Sequence, residues 1–190
     1  RLGWITFHGP VVTSLARAQP ISDLDEVLGI LRGDITKVGF DSRPDGIPLF
    51  GAGIAGYTPT RGRLRGGNLT VLASMVGTDC ALKPGYDSVW FLEDVGEAPY
   101  RLDRSFWQLR ASGLLRGSNG LWLGNFDLNR SEMEGVARMF TEDSALEVGF
   151  GAPAGHMGPI STLPIGGEVE IEWSRGQLTA RSDWVNRDAS

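Results

Sequence analysis

Two positions in this sequence have the means for acid–base chemistry. Glu93 is the first polar side chain after the apolar run Val89-Trp90-Phe91-Leu92, and Asp94 follows it. A polar group at the carboxyl end of a buried strand stands where α/β sheets place their sites. A carboxylate there also has a purely structural use, accepting backbone N–H bonds in the next loop. His156 lies in Gly151-Ala152-Pro153-Ala154-Gly155-His156-Met157-Gly158. The glycines allow close approach and unusual dihedrals. Such a loop presents an imidazole for chemistry as readily as it packs one. A Glu–His pair is two members of a nucleophilic triad. The carboxylate fixes the imidazole tautomer, and the imidazole takes the nucleophile's proton. The third member is missing. Ser14, Ser74, Ser118 and Ser161 are available, but none has the strand-to-helix elbow that exposes a nucleophilic serine.

Other motifs are weaker. Gly51-Ala52-Gly53-Ile54-Ala55-Gly56 matches the dinucleotide fingerprint, with Asp79 downstream. The fingerprint needs its last glycine to open a helix that holds a pyrophosphate. Tyr57-Thr58-Pro59-Thr60-Arg61-Gly62 follows instead, which reads as a hairpin, and no cofactor is expected. Asn68-Leu69-Thr70 and Asn129-Arg130-Ser131 fit the glycosylation pattern, and they fit helix caps better. Gly117-Ser118-Asn119-Gly120 reads as a turn before a strand. Cys80 has no second cysteine and no histidine near it in sequence, and is expected to be a buried thiol. With one cysteine and two histidines, the chain is poorly supplied with metal ligands, and no metal is expected.

The elements that must position Glu93 and His156 follow from periodicity. Trp4, Ile5 and Phe7 suggest a buried strand ending in His8-Gly9-Pro10. Ser22 is a plausible cap for a helix carrying Leu24, Val27, Leu28 and Leu31, which Gly33 ends. Residues 34 to 67 are rich in Gly, Pro and Arg and read as a long connection plus a hairpin, with Ile47-Pro48-Leu49-Phe50 extended. Asn68 caps a short helix with Leu69, Leu72 and Met75, stopped by Gly77. Val89–Leu92 reads as a strand buried on both faces. Pro99 opens a helix with an apolar stripe of Leu102, Phe106 and Leu109. Leu121-Trp122-Leu123 is a second buried strand. Ser131 and Glu134 suggest a capping box before Met133, Val136, Ala137 and Phe140. Leu146–Phe150 and Glu168–Trp173 close the chain as β structure. The order of strands and helices predicts an α/β fold.

Composition excludes several classes of function. Eighteen Lys and Arg against 23 Asp and Glu leave a net charge of −5, a poor match for nucleic acid or an anionic membrane. No apolar run approaches the roughly 20 residues of a membrane span. A lone cysteine excludes an internal disulfide and fits a reducing compartment. Glycine, at 27 of 190 residues, is about twice its usual frequency of roughly 7 %. The chain opens in mid-strand without Met, which suggests a piece of a longer protein.

Five segments in order resemble a known family. They are Gly66-Gly67-Asn68-Leu69-Thr70, Gly77-Thr78, the run from Phe91 to Arg104, Pro153-Ala154-Gly155-His156 and Leu163-Pro164-Ile165-Gly166. Together they look like the LD-carboxypeptidases, a serine peptidase group that includes muramoyl-tetrapeptide carboxypeptidase and the microcin C self-immunity peptidases. The resemblance implies the end of an N-terminal α/β domain, of the class I glutamine-amidotransferase type, with its linker over residues 1–60. It implies a swivelling β/β/α C-terminal domain over 61–190. It maps the triad Glu and His onto Glu93 and His156, and puts the serine upstream of Arg1, one strand and one helix before His8-Gly9-Pro10. It further implies hydrolysis of the terminal D-alanine from murein tetrapeptide, a cytoplasmic location, no metal and a homodimer. The alternatives are a peptidase for peptidyl-nucleotide toxins and, since this chain has no nucleophile, a non-catalytic binding or assembly fragment. The pattern from Glu93 to Arg104 is nearer the murein enzymes. The resemblance also implies that Glu93 and His156 lie within hydrogen-bond reach, and that an apolar patch is exposed near Trp4 and Phe7.

Overall fold

A computed structural model describes residues 3–15, 24–39, 59–142, 146–155, 160–173, 177–181 and 184–185. The strands among them are β1 (Thr6–His8), β2 (Lys37–Gly39), β3 (Thr60–Asn68), β4 (Ser88–Glu93), β5 (Gly120–Leu123), β6 (Glu147–Phe150), β7 (Leu163–Ile165), β8 (Glu168–Glu172) and β9 (Gln177–Ala180). The helices are α1 (Val12–Leu15), α2 (Leu24–Arg32), α3 (Leu69–Met75), α4 (Pro99–Ala111) and α5 (Arg130–Thr141).

Seven strands form one mixed sheet in the order β2-β9-β8-β3-β4-β5-β6. β3 to β6 run parallel, with helices α3, α4 and α5 as the crossovers between them. β8 and β9 add an antiparallel hairpin beside β3, and β2 closes that edge. β1 pairs with β7 in a separate two-stranded sheet.

Both faces of the parallel sheet are covered, so its strands carry apolar residues on both sides. Trp90, Leu92, Leu121 and Leu123 point into a core with Leu69 and Leu72 of α3, Leu102 and Phe106 of α4, and Ala137 and Phe140 of α5. Val89, Phe91 and Trp122 point the other way, toward Ile30, Val38, Leu163, Ile171 and Trp173. The strand and stripe expectations for Val89–Leu92, Leu121–Leu123 and α4 match this packing. At the amino end of the sheet the Trp173 indole donates to Thr60 Oγ1 at 2.7 Å, and Thr60 Oγ1 donates to Glu147.

Several local expectations are corrected. The segment read as connection and hairpin contains β3, a nine-residue strand between β8 and β4. Its alternating Gly and Arg conceal the strand, and each type has a structural cause. A Cβ at Gly66 would stand 1.8 Å from the Phe91 carbonyl oxygen, so only glycine lets β3 lie against β4. Arg61 and Arg63 form ion pairs with Glu170 and Glu168 of β8. The α5 capping box is Asn129 with Glu132, two residues before the Ser131–Glu134 pair expected. In α2 the buried side chains are Val27 and Ile30, while Leu24 and Leu31 are exposed. Trp4, expected in a buried strand, is 74 % exposed. Cys80 is exposed, because it sits in the turn after α3 rather than in an element that faces the core. The glycine-rich run Gly51–Gly56, the cap Ser22 and Ile47–Phe50 lie outside the described residues.

Candidate functional site

The carboxyl ends of β3, β4 and β5 converge on one rim of the sheet, and Glu93 is the last residue of β4. Its side chain is 1 % exposed. It leaves the strand on the same face as Phe91: a Cβ at Gly124 would lie 3.0 Å from Phe91 Cε2 and 3.2 Å from Glu93 Cβ. That face also holds the ring of His8, edge-on to Phe91 with centroids 5.1 Å apart. Asn68, the register partner of Glu93 across β3 and β4, donates from Nδ2 to Glu93 Oε1 at 3.4 Å.

The loop after β6 reaches the same carboxylate. Ala152 N donates to the Leu123 carbonyl at 3.2 Å, and Ser161 N donates to the Pro153 carbonyl at 2.6 Å. A Cβ at Gly155 would stand 3.3 Å from Glu93 Oε2 and 3.1 Å from Asn125 Cβ. Gly155 has φ +133, a conformation that costs an L side chain strain, and its tight surroundings would have to give by a few tenths of an ångström for a methyl group. His156 itself lies outside the described residues. The described structure therefore places Glu93 and the residue preceding His156 together.

Asp94 goes to the opposite face. It is 4 % exposed and accepts three hydrogen bonds: from Asn68 Nδ2 at 3.0 Å, from Thr70 N at 3.0 Å and from Thr70 Oγ1 at 2.6 Å. Burying a carboxylate is costly unless its oxygens are paired, and these bonds meet that demand. Asp94 N donates to the Asn125 carbonyl at 3.0 Å, and Gly96 N donates to Asp127 Oδ2 at 2.6 Å, which ties the loop after β4 to the loop after β5. Asn68 and Asn129 cap α3 and α5, as their alternative reading expected.

The described serines have structural positions. Ser74 Oγ donates to the Val71 carbonyl, Ser118 Oγ accepts from the Trp90 indole, and Ser161 is buried. The side chain of Ser14 lies outside the described residues. Trp4, Val11 and Val12 are exposed at one end of the chain, with Phe7 half-buried. Among the described residues no three His, Cys, Asp or Glu side chains are grouped to hold a metal ion. Among them no helix is long and apolar enough to cross a membrane.

Gly155 belongs to the loop expected to frame Glu93 and His156, whereas nothing in the sequence pattern marks Asn68 and Asn125 as neighbours of Glu93. Asn68 was legible only as a cap, because β3 had not been recognised as the strand whose carboxyl end brings it beside β4.

The model of the LD-carboxypeptidase C-terminal domain matches residues 61–171. The murein tetrapeptide carboxypeptidase of Pseudomonas aeruginosa is 34 % identical over 184 residues, covering 92 % of this chain and 58 % of that protein. The crystal structure of muramoyltetrapeptide carboxypeptidase from Oxalobacter formigenes has a TM-score of 0.65 at 26 % identity, covering 93 % of this chain and 60 % of that one. The microcin C7 self immunity protein MccF, in complex with aspartyl sulfamoyl adenosine, has a TM-score of 0.78 at 20 % identity, covering 97 % of this chain and 63 % of that one. This last likeness is one of fold alone. The chain spans less than two thirds of the length of each of these proteins.

Proposed function

The chain belongs to the LD-carboxypeptidase family, and from that premise we propose that it supplies the Glu–His half of a serine L,D-carboxypeptidase acting on murein tetrapeptide. The observation that carries this reading is that Gly155 lies beside Glu93, where a β-carbon would come within 3.3 Å of Oε2. His156 follows Gly155 directly in the sequence, and the proposal takes its imidazole to be the partner of that buried carboxylate.

In this reading a serine outside the present sequence attacks the carbonyl of the L,D-peptide bond. His156 takes the serine proton and returns it to the departing amine of D-alanine. Water then attacks the acyl-enzyme, again through His156, and restores the serine. Glu93 holds the imidazole in the tautomer that accepts the proton and stabilises the cation formed. The low exposure of Glu93 strengthens that interaction by excluding water. The 34 % identity to the Pseudomonas aeruginosa enzyme favours a murein peptide as substrate.

The test is D-alanine release from murein tetrapeptide by the full product of the gene encoding this chain, with Glu93→Gln and His156→Ala as variants. Release that both substitutions abolish, with folding retained, supports the reading. Cleavage of a peptidyl-nucleotide in preference to tetrapeptide would move the substrate to the other branch. Hydrolysis of neither would leave a binding or assembly role. Full activity in His156→Ala would end the triad assignment.

A further inference from the structure

We propose that Asn68 is a positioning residue for Glu93, acting through an amide whose orientation the fold fixes; this rests on the Glu–His reading above. Asn68 Oδ1 accepts from Val71 N at 3.0 Å as the N-cap of α3. With the oxygen committed to the helix, Nδ2 must face the end of β4. There it is shared between two buried carboxylates, reaching Asp94 Oδ1 at 3.0 Å and Glu93 Oε1 at 3.4 Å.

Asp94 makes the arrangement rigid. Its other oxygen is held by the backbone and hydroxyl of Thr70, in the first turn of the helix that Asn68 caps. Helix, cap and carboxylate thus form a closed bracket: α3 fixes Asn68, Asp94 anchors both, and the remaining amide hydrogen is aimed at Glu93. An amide donor there also separates two carboxylates on consecutive residues. The bond holds one oxygen of Glu93, with Oε2 on the Gly155 side; the Glu–His reading pairs the imidazole with this oriented carboxylate. Orientation of this kind acts on the chemical step, since a misplacement of about 1 Å can cost about a hundredfold in rate.

Capping and positioning can be separated. Asn68→Ser keeps a good N-cap and removes the amide donor. Asn68→Asp also keeps the cap and replaces the donor with a third carboxylate. In the active protein Asn68→Ser should lower kcat for D-alanine release at least tenfold with KM within about twofold, and Asn68→Asp should lower it further, with circular dichroism unchanged in both. A second readout needs no activity. A histidine bonded to a carboxylate shows a downfield ring N–H proton by NMR. That proton of His156 should be present in this chain and lost or broadened in both Asn68 variants. Retention of the signal and of kcat in Asn68→Ser overturns the positioning role. If instead Glu93→Gln leaves the His156 signal unchanged, or the unsubstituted chain lacks it, the Glu–His pairing itself fails.

Discussion

The α-carbon of Gly155 faces the carboxylate of Glu93, and a β-carbon built there would stand 3.3 Å from Glu93 Oε2. The two residues come from the ends of different strands, β4 and β6, on either side of β5. The parallel order brings those carboxyl ends to one rim. The backbone of the β6 loop comes so near the carboxylate that even a methyl group on its nearest residue would crowd it. The glycine and the buried carboxylate are thus one feature seen from two sides.

Gly155→Ala tests that relationship. The new methyl meets Glu93 Oε2 and Asn125 Cβ at 3.3 and 3.1 Å, and φ +133 adds backbone strain. Such strain costs about 1–3 kcal/mol, so the melting temperature should fall by several degrees. Under the proposed Glu–His reading, the activity of the full-length protein should fall further, by about a hundredfold, because His156 follows this glycine in the same loop. Kinetics of D-alanine release beside a thermal melt will separate the two effects. Unchanged kcat would mean that the Gly155 contact is packing alone.

Gly66→Ala addresses the sheet beneath the site. Its Cβ would meet the Phe91 carbonyl oxygen at 1.8 Å, and backbone cannot move aside as a side chain can. The parallel pairing of β3 with β4 must give, at a cost of about 3 kcal/mol or more. Gly67→Ala is the matched control: φ is +140 but nothing lies within 4 Å of its Cβ. It should cost about 1–3 kcal/mol from backbone strain alone, a strain that Gly66 at φ +122 bears in addition to its clash. Urea midpoints for the two variants will show whether the order Gly66 above Gly67 holds.

How much of this was legible in the sequence depended on side-chain type. Val89–Leu92 and the stripe Leu102, Phe106 and Leu109 declare themselves, because burial on both faces or on one stripe leaves a hydrophobic pattern. Glu93 could then be placed at a strand end by simple counting. β3 carries no such pattern. Its glycines answer to the backbone of β4, and Arg61 and Arg63 to acids on β8, so their meaning lies in partners distant along the chain. Asn68 lost its second role with the strand. The α5 box was misplaced by two residues because Ser131–Glu134 and Asn129–Glu132 have the same cap-to-acid spacing, and local pattern does not choose between them.

That choice gives a prediction about stability. Asn129 Oδ1 accepts from Glu132 N at 3.1 Å, and Glu132 Oε2 accepts from Asn129 N at 2.8 Å. Asn129→Ala should therefore cost about 1 kcal/mol, and a melting temperature lower by about 2–4 °C. Ser131→Ala should change the melting temperature by less than half as much. A larger loss in Ser131→Ala than in Asn129→Ala would return the cap to Ser131.

Cys80 offers a chemical check on the turn after α3. The residue is exposed, its backbone N–H donating to Thr78 Oγ1 at 3.2 Å, and Thr78 Oγ1 in turn donates to the Met75 carbonyl at 2.7 Å. The thiol is presented to solvent by a turn that the Thr78 hydroxyl holds. Because thiol reactivity depends on access as well as on the thiolate fraction, Ellman's reagent should titrate one thiol per chain in the native protein. The rate should approach that of the unfolded chain in guanidinium. A rate at least a hundredfold below that of the unfolded chain would place Cys80 in the core and refute this turn. Thr78→Val, which removes the hydroxyl that holds the turn, should leave the fast rate in place while lowering the melting temperature by a few degrees.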